Sequence, residues 1–223
     1  MAKVSWESFL AEVLPSVEGC ADVTAINAIR AAAIDFCQRT RVWQAELDFP
    51  ITIEANQAEY DLDPPDLESE IVTVPKRGVR YKGKELAGPT THADLTRDQP
   101  GWQSATGTQP TTFIYDESQQ VIRVVPVPTA EVIDALTVRV ALKPTRTSEN
   151  ADQYLYDSWL DAIAAGALAR LLILPNKAWT NFELAEFYRK RFEKYIGDGR
   201  ARVMKGGGDL SLTVDPVSFG GID

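Results

Sequence analysis

Histidine occurs once in the chain, at His92, and cysteine twice, at Cys20 and Cys37. A lone histidine four residues after Gly88, in a Gly/Pro/Thr-rich stretch, reads as a surface residue rather than a catalytic base. Two cysteines are too few for a disulfide framework, and neither has a partner at metal-ligand spacing. Cys37 falls on an apolar helical face, the place of a small core residue rather than of a thiol nucleophile. The G-x-S-x-G elbow, the G-x-x-x-x-G-K-[ST] loop and the G-x-G-x-x-G fingerprint are all missing. Gly206-Gly207-Gly208 lacks the flanking strand and helix that a phosphate loop requires. Asp61, Asp63 and Asp66 cluster, but intervening prolines and the lack of a suitably placed glutamate leave a solvated acidic loop, not a calcium loop. The expectation is a protein with no catalytic residue, no metal site and no cofactor.

A surplus of basic charge is also missing. The formal net charge is -9, which argues against a dedicated nucleic-acid binder, because neutralising phosphates needs excess Lys and Arg. A local basic patch remains open. No apolar run is long enough for a membrane span: Asp161 and Arg170 interrupt the stretch Leu160–Leu174, where roughly 18 uninterrupted residues are wanted. The first ten residues lack the charged-then-apolar plan of a signal peptide. These features predict a protein made and kept in a reducing cytoplasm, or in something assembled there.

What is present is organised around residues 151–202. The spacing predicts a buried helix from about Asp152 to Leu174, apolar on most sides and rich in small residues at Ala162, Ala164, Ala165, Gly166 and Ala167. Pro175 and Asn176 break it. A second, amphipathic helix follows, with Phe182, Ala185, Tyr188, Phe192 and Tyr195 on one face. Thr180 and Glu183 are spaced as a capping box. The two helices are expected to fold back as a hairpin. Near the start, Trp6, Phe9, Leu10 and Val13 form the stripe of a short helix capped by Ser5 and ended by Pro15. A longer helix runs from about Val23 to Arg39, capped by Asp22 or Thr24, with Ile26, Ile29, Ala33, Phe36 and Cys37 as its buried face.

From Leu47 to Leu142 the signals are those of strands and turns. Residues 49–53 alternate, Asn56-Gln57 turns, and 58–62 returns as a partner strand. Ile71–Val74 is a compact strand, and Lys82-Gly83 makes a tight turn in the segment 80–86. Thr91 caps a short helix to Asp98, and a long loop containing Trp102 follows. The clearest hairpin joins 112–115 to 121–125. In the strand 136–142, Leu136, Val138, Val140 and Leu142 point one way and Thr137, Arg139 and Ala141 the other.

The expected fold class is α+β: a four-helix bundle formed by both chain ends, an inserted antiparallel β-sheet or small barrel, and an extended C-terminal arm. The division is 1–44 and 150–204 for the bundle, 45–149 for the β insertion and 205–223 for a flexible arm. The arm carries spaced apolar residues at Leu210, Leu212, Val214, Val217, Phe219 and Ile222. A disordered terminus is usually poorer in such residues, so docking on a partner, by strand addition, is favoured. A basic run, Arg189-Lys190-Arg191 with Lys194, Arg200, Arg202 and Lys205, is diluted by Glu193 and Asp198. It reads equally as a solvated, dipole-favoured helix face or as a surface turned to DNA or an acidic subunit.

The succession of elements resembles a known family. Ala28–Cys37 leads to Thr40-Arg41-Val42-Trp43. The loop Pro100–Pro110, a hairpin closing in Val125-Pro126-Val127-Pro128, a strand ending near Pro144 and the long helical hairpin follow. Together they resemble the head-to-tail adaptor (connector or neck) proteins of tailed bacteriophages. The resemblance implies a structural virion protein at the head-to-tail interface, made in the host cytoplasm. It implies a ring, commonly of twelve copies, below the portal, joining capsid to tail and lining the DNA exit channel. Its implied partners are the portal protein, a tail nozzle or tail tube protein, further copies of itself, and genomic DNA only in passage, with no membrane. Leu210 to Ile222 would then be a portal-binding arm, and the basic run a channel or inter-subunit surface. A different reading makes the β insertion a glycan-binding module with Trp102, Tyr81 and Tyr115 as its platform.

Overall fold

The computed structural model describes residues 2–206 of the chain. It is an α+β fold with five helices and several β-sheets. The chain opens with β1 (Lys3–Ser5), a 3-10 turn over Trp6–Phe9 and a single turn of α1 (Leu10–Val13), then α2 (Asp22–Thr40). Strands β2 (Gln44–Glu46), β3 (Ile51–Ile53), β4 (Glu59–Asp61), β5 (Ser69–Thr73), β6 (Val79–Tyr81) and β7 (Lys84–Glu85) follow. After α3 (His92–Asp98) come β8 (Thr106–Gly107), β9 (Thr112–Asp116), β10 (Val121–Val125), β11 (Val127–Pro128), β12 (Val132–Pro144) and β13 (Asn150–Asp152). Helices α4 (Gln153–Leu171) and α5 (Phe182–Met204) complete the described chain.

The spine of the β region is β12. Its alternating Leu136, Val138, Val140 and Leu142 are all buried. One edge pairs first with β3 and then with β2, the other with β6 and then β5, all antiparallel. A register shift between Ala141 and Leu142 marks a bulge, and Ala141 is buried beside its neighbours rather than facing solvent. The expected hairpin of 112–115 with 121–125 is present as β9 and β10. The expected pairing of 49–53 with 58–62 is not. Asn56 does turn the chain, with φ 63°, but β4 continues to the outer edge of β10 while β3 joins β12. The Tyr60 hydroxyl bridges the turn, accepting from the Glu54 amide and donating to the Gln57 carbonyl. The strands therefore divide among separate sheets rather than forming one sheet or barrel, and β8 with β11 is a short parallel pair.

Three long helices, α2, α4 and α5, pack on one another, and α2 also covers β12. The fourth helix expected for the bundle is a mixed segment in which 3-10 turns flank one α-helical turn. Its Trp6, Phe9 and Val13 are nonetheless buried, and the Trp6 indole donates to the Ser148 carbonyl at 3.1 Å. Gly166 marks the junction of the three long helices. A Cβ there would lie 2.8 Å from the Phe192 ring and 2.9 Å from Ala32 Cβ, so only hydrogen lets α2, α4 and α5 approach this closely.

Helix ends depart from the expected ones. Ala21, not Asp22 or Thr24, precedes α2 and offers no side-chain cap. Asp152 caps α4 through the Tyr154 amide. The rod is bent: Trp159 has φ -135° and ψ 15°, outside helical values, and its indole donates to the Tyr154 hydroxyl. At the start of α5 the cap is Asn181, which accepts from the Leu184 amide. Thr180 instead closes the preceding turn, accepting from the Lys177 amide and donating to the Leu174 carbonyl, so no capping box forms. Phe182, expected on the buried face of α5, is 66% exposed, while Ile196 and Gly199 are buried.

Candidate functional site

The seven basic residues singled out on the last helix and at its end have different surroundings. Arg189 and Lys190 both face Glu186, and the Arg191 guanidinium donates to the Tyr195 hydroxyl. Arg200 Nε donates to the Arg39 carbonyl at 3.0 Å, supplying a donor to the carbonyl-rich end of α2. Arg202 lies over the rings of Trp159 and Tyr154, 5.7 and 6.0 Å from their centroids. Lys194 and Lys205 are exposed and form no ion pair among the described residues. Leu210, Leu212, Val214, Val217, Phe219 and Ile222 lie outside the described residues.

A second concentration of positive charge, sharing Arg202 with this run, comes together only in the folded chain. The end of α2, the turn before β6, β12 and the end of α5 enclose a groove of about 780 Å³. Arg41, Lys76, Arg77, Arg80, Arg139 and Arg202 line it, with Glu85 as the single carboxylate among the described residues. Local backbone chemistry builds it. Arg41 ends α2 in the left-handed region at φ 59°, its amide donating to the Cys37 carbonyl. Arg77 also sits at positive φ, in the turn closed by the Gly78 amide on the Pro75 carbonyl. Gly78 is pressed against β12: its carbonyl accepts from the Arg139 amide, and an added Cβ would meet the Arg139 carbonyl at 2.8 Å. Glu85 lies 3.8 Å from Arg77 and 3.9 Å from Arg80. Arg41, Lys76, Arg139 and Arg202 have no ionic partner among the described residues. Val42, Pro75 and Val203 supply apolar lining. The one sequence signal was the run Pro75-Lys76-Arg77-Gly78; the remaining cations are gathered by tertiary folding.

The aromatic platform is not a surface. Trp102 is 2% and Tyr81 5% exposed. Trp102 packs with Leu95, Ile114 and Val125 in a satellite core, donating to Thr96 and covered by Arg123. Tyr115 is half-buried, and burial pushes its hydroxyl up to about 12. His92 is exposed beside Trp102. Both cysteines are buried, and burial raises both thiols. Of the acidic cluster, Asp66 is engaged by Lys3 at 2.6 Å. Among the described residues no group of acidic, histidine and cysteine side chains is arranged to hold a metal, and no helix is long and apolar enough to cross a membrane.

Large apolar side chains stand out from this acidic body. Phe49, Ile133, Phe182 and Phe187 are each more than half exposed. The family model described as "SU10 adaptor protein" matches residues 6–212, and the chain belongs to that family of phage head-to-tail adaptors. It is a structural family rather than an enzymatic one. We found no curated protein that matches the chain.

Proposed function

We propose that the protein assembles as a ring below the portal, joins the capsid to the tail and lines the channel through which DNA leaves. The observation that carries this reading is family membership over residues 6–212. Twelve copies are the expected ring. The portal protein sits on one side and a tail nozzle or tail tube protein on the other, and DNA is met only in passage. The protein's place is then the virion, at the head-to-tail interface. In this reading residues 1–44 and 150–204 form the helical body, 45–149 the β insertion, and 205–223 an arm that reaches along the portal through Leu210, Leu212, Val214, Val217, Phe219 and Ile222.

Several features support the reading. The net charge of -9 suits a conduit along which DNA slides without sticking. Lys194, exposed on α5, and Lys205, exposed just past its end, suit a channel or inter-subunit face. Phe182 and Phe187, exposed near the turn between α4 and α5, suit contact with a neighbouring copy. The glycan-binding alternative loses its basis, since two of its three platform residues are buried. Co-sedimentation with the portal ring of the same phage tests the proposal: the protein should pellet with the portal and stay in solution without it. Deleting residues 206–223 should abolish pelleting. Binding that survives the deletion removes the arm from the account.

A further inference from the structure

The cationic groove lies at one end of the helical body, and an acidic, apolar surface lies at the other. Ala32 of α2 and Phe192 of α5 both flank Gly166. Farther along, a Cβ added at Gly199 would meet Thr40 at 2.9 Å, and Arg200 Nε donates to the Arg39 carbonyl. The two helices therefore run parallel, and their first turns share an end. Burial dominates the raised Cys20 thiol, but Lys177 and Asp22 both act on it across space, which brings the turn before α5 to the start of α2. At that end Val23 and Phe182 are 70% and 66% exposed. Their chain neighbours Asp22 and Glu183 are exposed too and form no ion pair among the described residues. Lys177, the cation of the turn, lies over the Trp179 ring. Acidic residues in a first turn suit the helix dipole, but the dipole does not account for large apolar side chains left in water beside them.

The groove offers the converse. Arg41 and Val42 follow the last turn of α2, and Arg202, Val203 and Met204 finish α5, so the same two helices bring cations and apolar side chains to it. Met204 is 86% exposed. At 1.5 Å per residue the 19 residues of α2 hold the two ends about 28 Å apart, so a chain cannot seat its own acidic end in its own groove. We propose that the acidic, apolar end of one copy, built from Asp22, Val23, Phe182 and Glu183, docks in the cationic groove of the next copy. This rests on the ring reading and names the surfaces through which its copies meet. The two surfaces differ, so the contact is heterologous, repeats from copy to copy and closes into a ring when the rotation between copies allows it. Burial of Val23, Phe182 and Met204 supplies the attraction, while the opposed charges fix the orientation and reject like-signed surfaces. A DNA backbone matches the charge of the groove but leaves its apolar lining without a partner.

Charge reversal on either side, read by electron microscopy of the full-length protein on the portal ring, tests it. Reversing the acidic end, Asp22→Arg with Glu183→Arg, or the groove, Lys76→Glu with Arg139→Glu, should each raise the protein concentration needed for a ring on the order of a hundredfold. All four positions are exposed. An equimolar mixture of the two variants should restore the ring with the variants alternating, because the two unaltered surfaces match each other and so do the two reversed ones. A short bismaleimide should link copies of the doubly substituted Phe182→Cys, Met204→Cys protein into a ladder on the portal, and neither single substitution should give one, since Cys20 and Cys37 are buried. The cross-link reverses no charge and decides alone if a reversed variant does not fold. Rings from either reversed variant at the wild-type concentration would overturn the inference and leave the ring reading standing, as would a ring without a ladder or a mixture of folded variants that stays unassembled. Dimers from a singly substituted protein would show an isologous contact and overturn it. A groove variant that forms normal rings but loses a short DNA duplex held by the wild type would give the groove to nucleic acid and overturn it. Portals left bare by the wild type would remove both readings.

Discussion

Arg39, in the last turn of α2, holds Glu193 of α5 through two hydrogen bonds, Nη1 to Oε1 at 2.7 Å and Nη2 to Oε2 at 2.5 Å. The pair joins the two ends of the sequence, as does Arg170 on α4 with Asp35 on α2 at 3.1 Å. The bidentate hydrogen bond from Arg39 holds the Glu193 carboxyl below its ordinary range. A depressed carboxyl contributes stability above its unfolded pKa and loses it as pH falls through the folded value. Glu193→Gln should therefore lower stability at neutral pH, with the deficit closing as the medium is acidified below about pH 4. Both side chains are partly exposed, so the loss should be at most about 1 kcal/mol. Denaturant titrations of both proteins at neutral and acidic pH measure it.

Gly166→Ala should destabilise the fold although alanine is the better helix former. The gain in propensity is about 1 kcal/mol, whereas forcing a methyl against Phe192 and Ala32 costs about 1–3 kcal/mol. Ala32 Cβ is fixed to its backbone and cannot swing away. Thermal denaturation should show a lower midpoint, and Phe192→Leu in the same chain should recover part of it.

Glu68 fastens the entrance to the C-terminal helices. Its Oε1 accepts from the Glu149 amide and from both nitrogens of Asn150, and Oε2 lies 3.4 Å from Lys3. Partial burial pushes its carboxyl up, but the donors from Asn150, Glu149 and Lys3 outweigh this and hold it below its ordinary range. Its contribution is thus present at neutral pH and lost in acid. Glu68→Ala should cost about 1–3 kcal/mol, since it strips backbone amides of their acceptor. Faster exchange of the β1 and β13 amides should accompany the loss.

Much of this fold could be read from spacing alone, and the misses share a cause. The stripe Ala185, Tyr188, Phe192 and Tyr195 and the alternation along 136–142 are local periods, and both correspond to the elements found. The partner of β4 was not legible, because Tyr60 alternates equally well in either sheet and only tertiary packing selects β10. Asn181 and Thr180 are both good capping residues, but the Thr180 hydroxyl is engaged by the Lys177 amide and the Leu174 carbonyl, which leaves the cap to Asn181. Trp159 carries no breaker signal, yet its indole bond to Tyr154 accompanies non-helical backbone. The groove escaped because Arg41, Arg80, Arg139 and Arg202 are far apart from one another in sequence and meet only after α2, β6, β12 and α5 assemble.

Trp102→Ala should act on stability and not on recognition. Removing a buried tryptophan typically costs about 3–5 kcal/mol, and here the damage should stay near α3, β9 and β10, which share its small core. Hydrogen exchange should rise around residues 92–104, and a glycan array should show no binding before or after the change.

Electron micrographs of the full-length protein mixed with the portal of the same phage test the central claim most directly. The account predicts a second ring stacked coaxially on the portal, with the rotational symmetry of twelve copies. Portals that remain bare at saturating protein, or density attached at scattered positions without an axial ring, would contradict it.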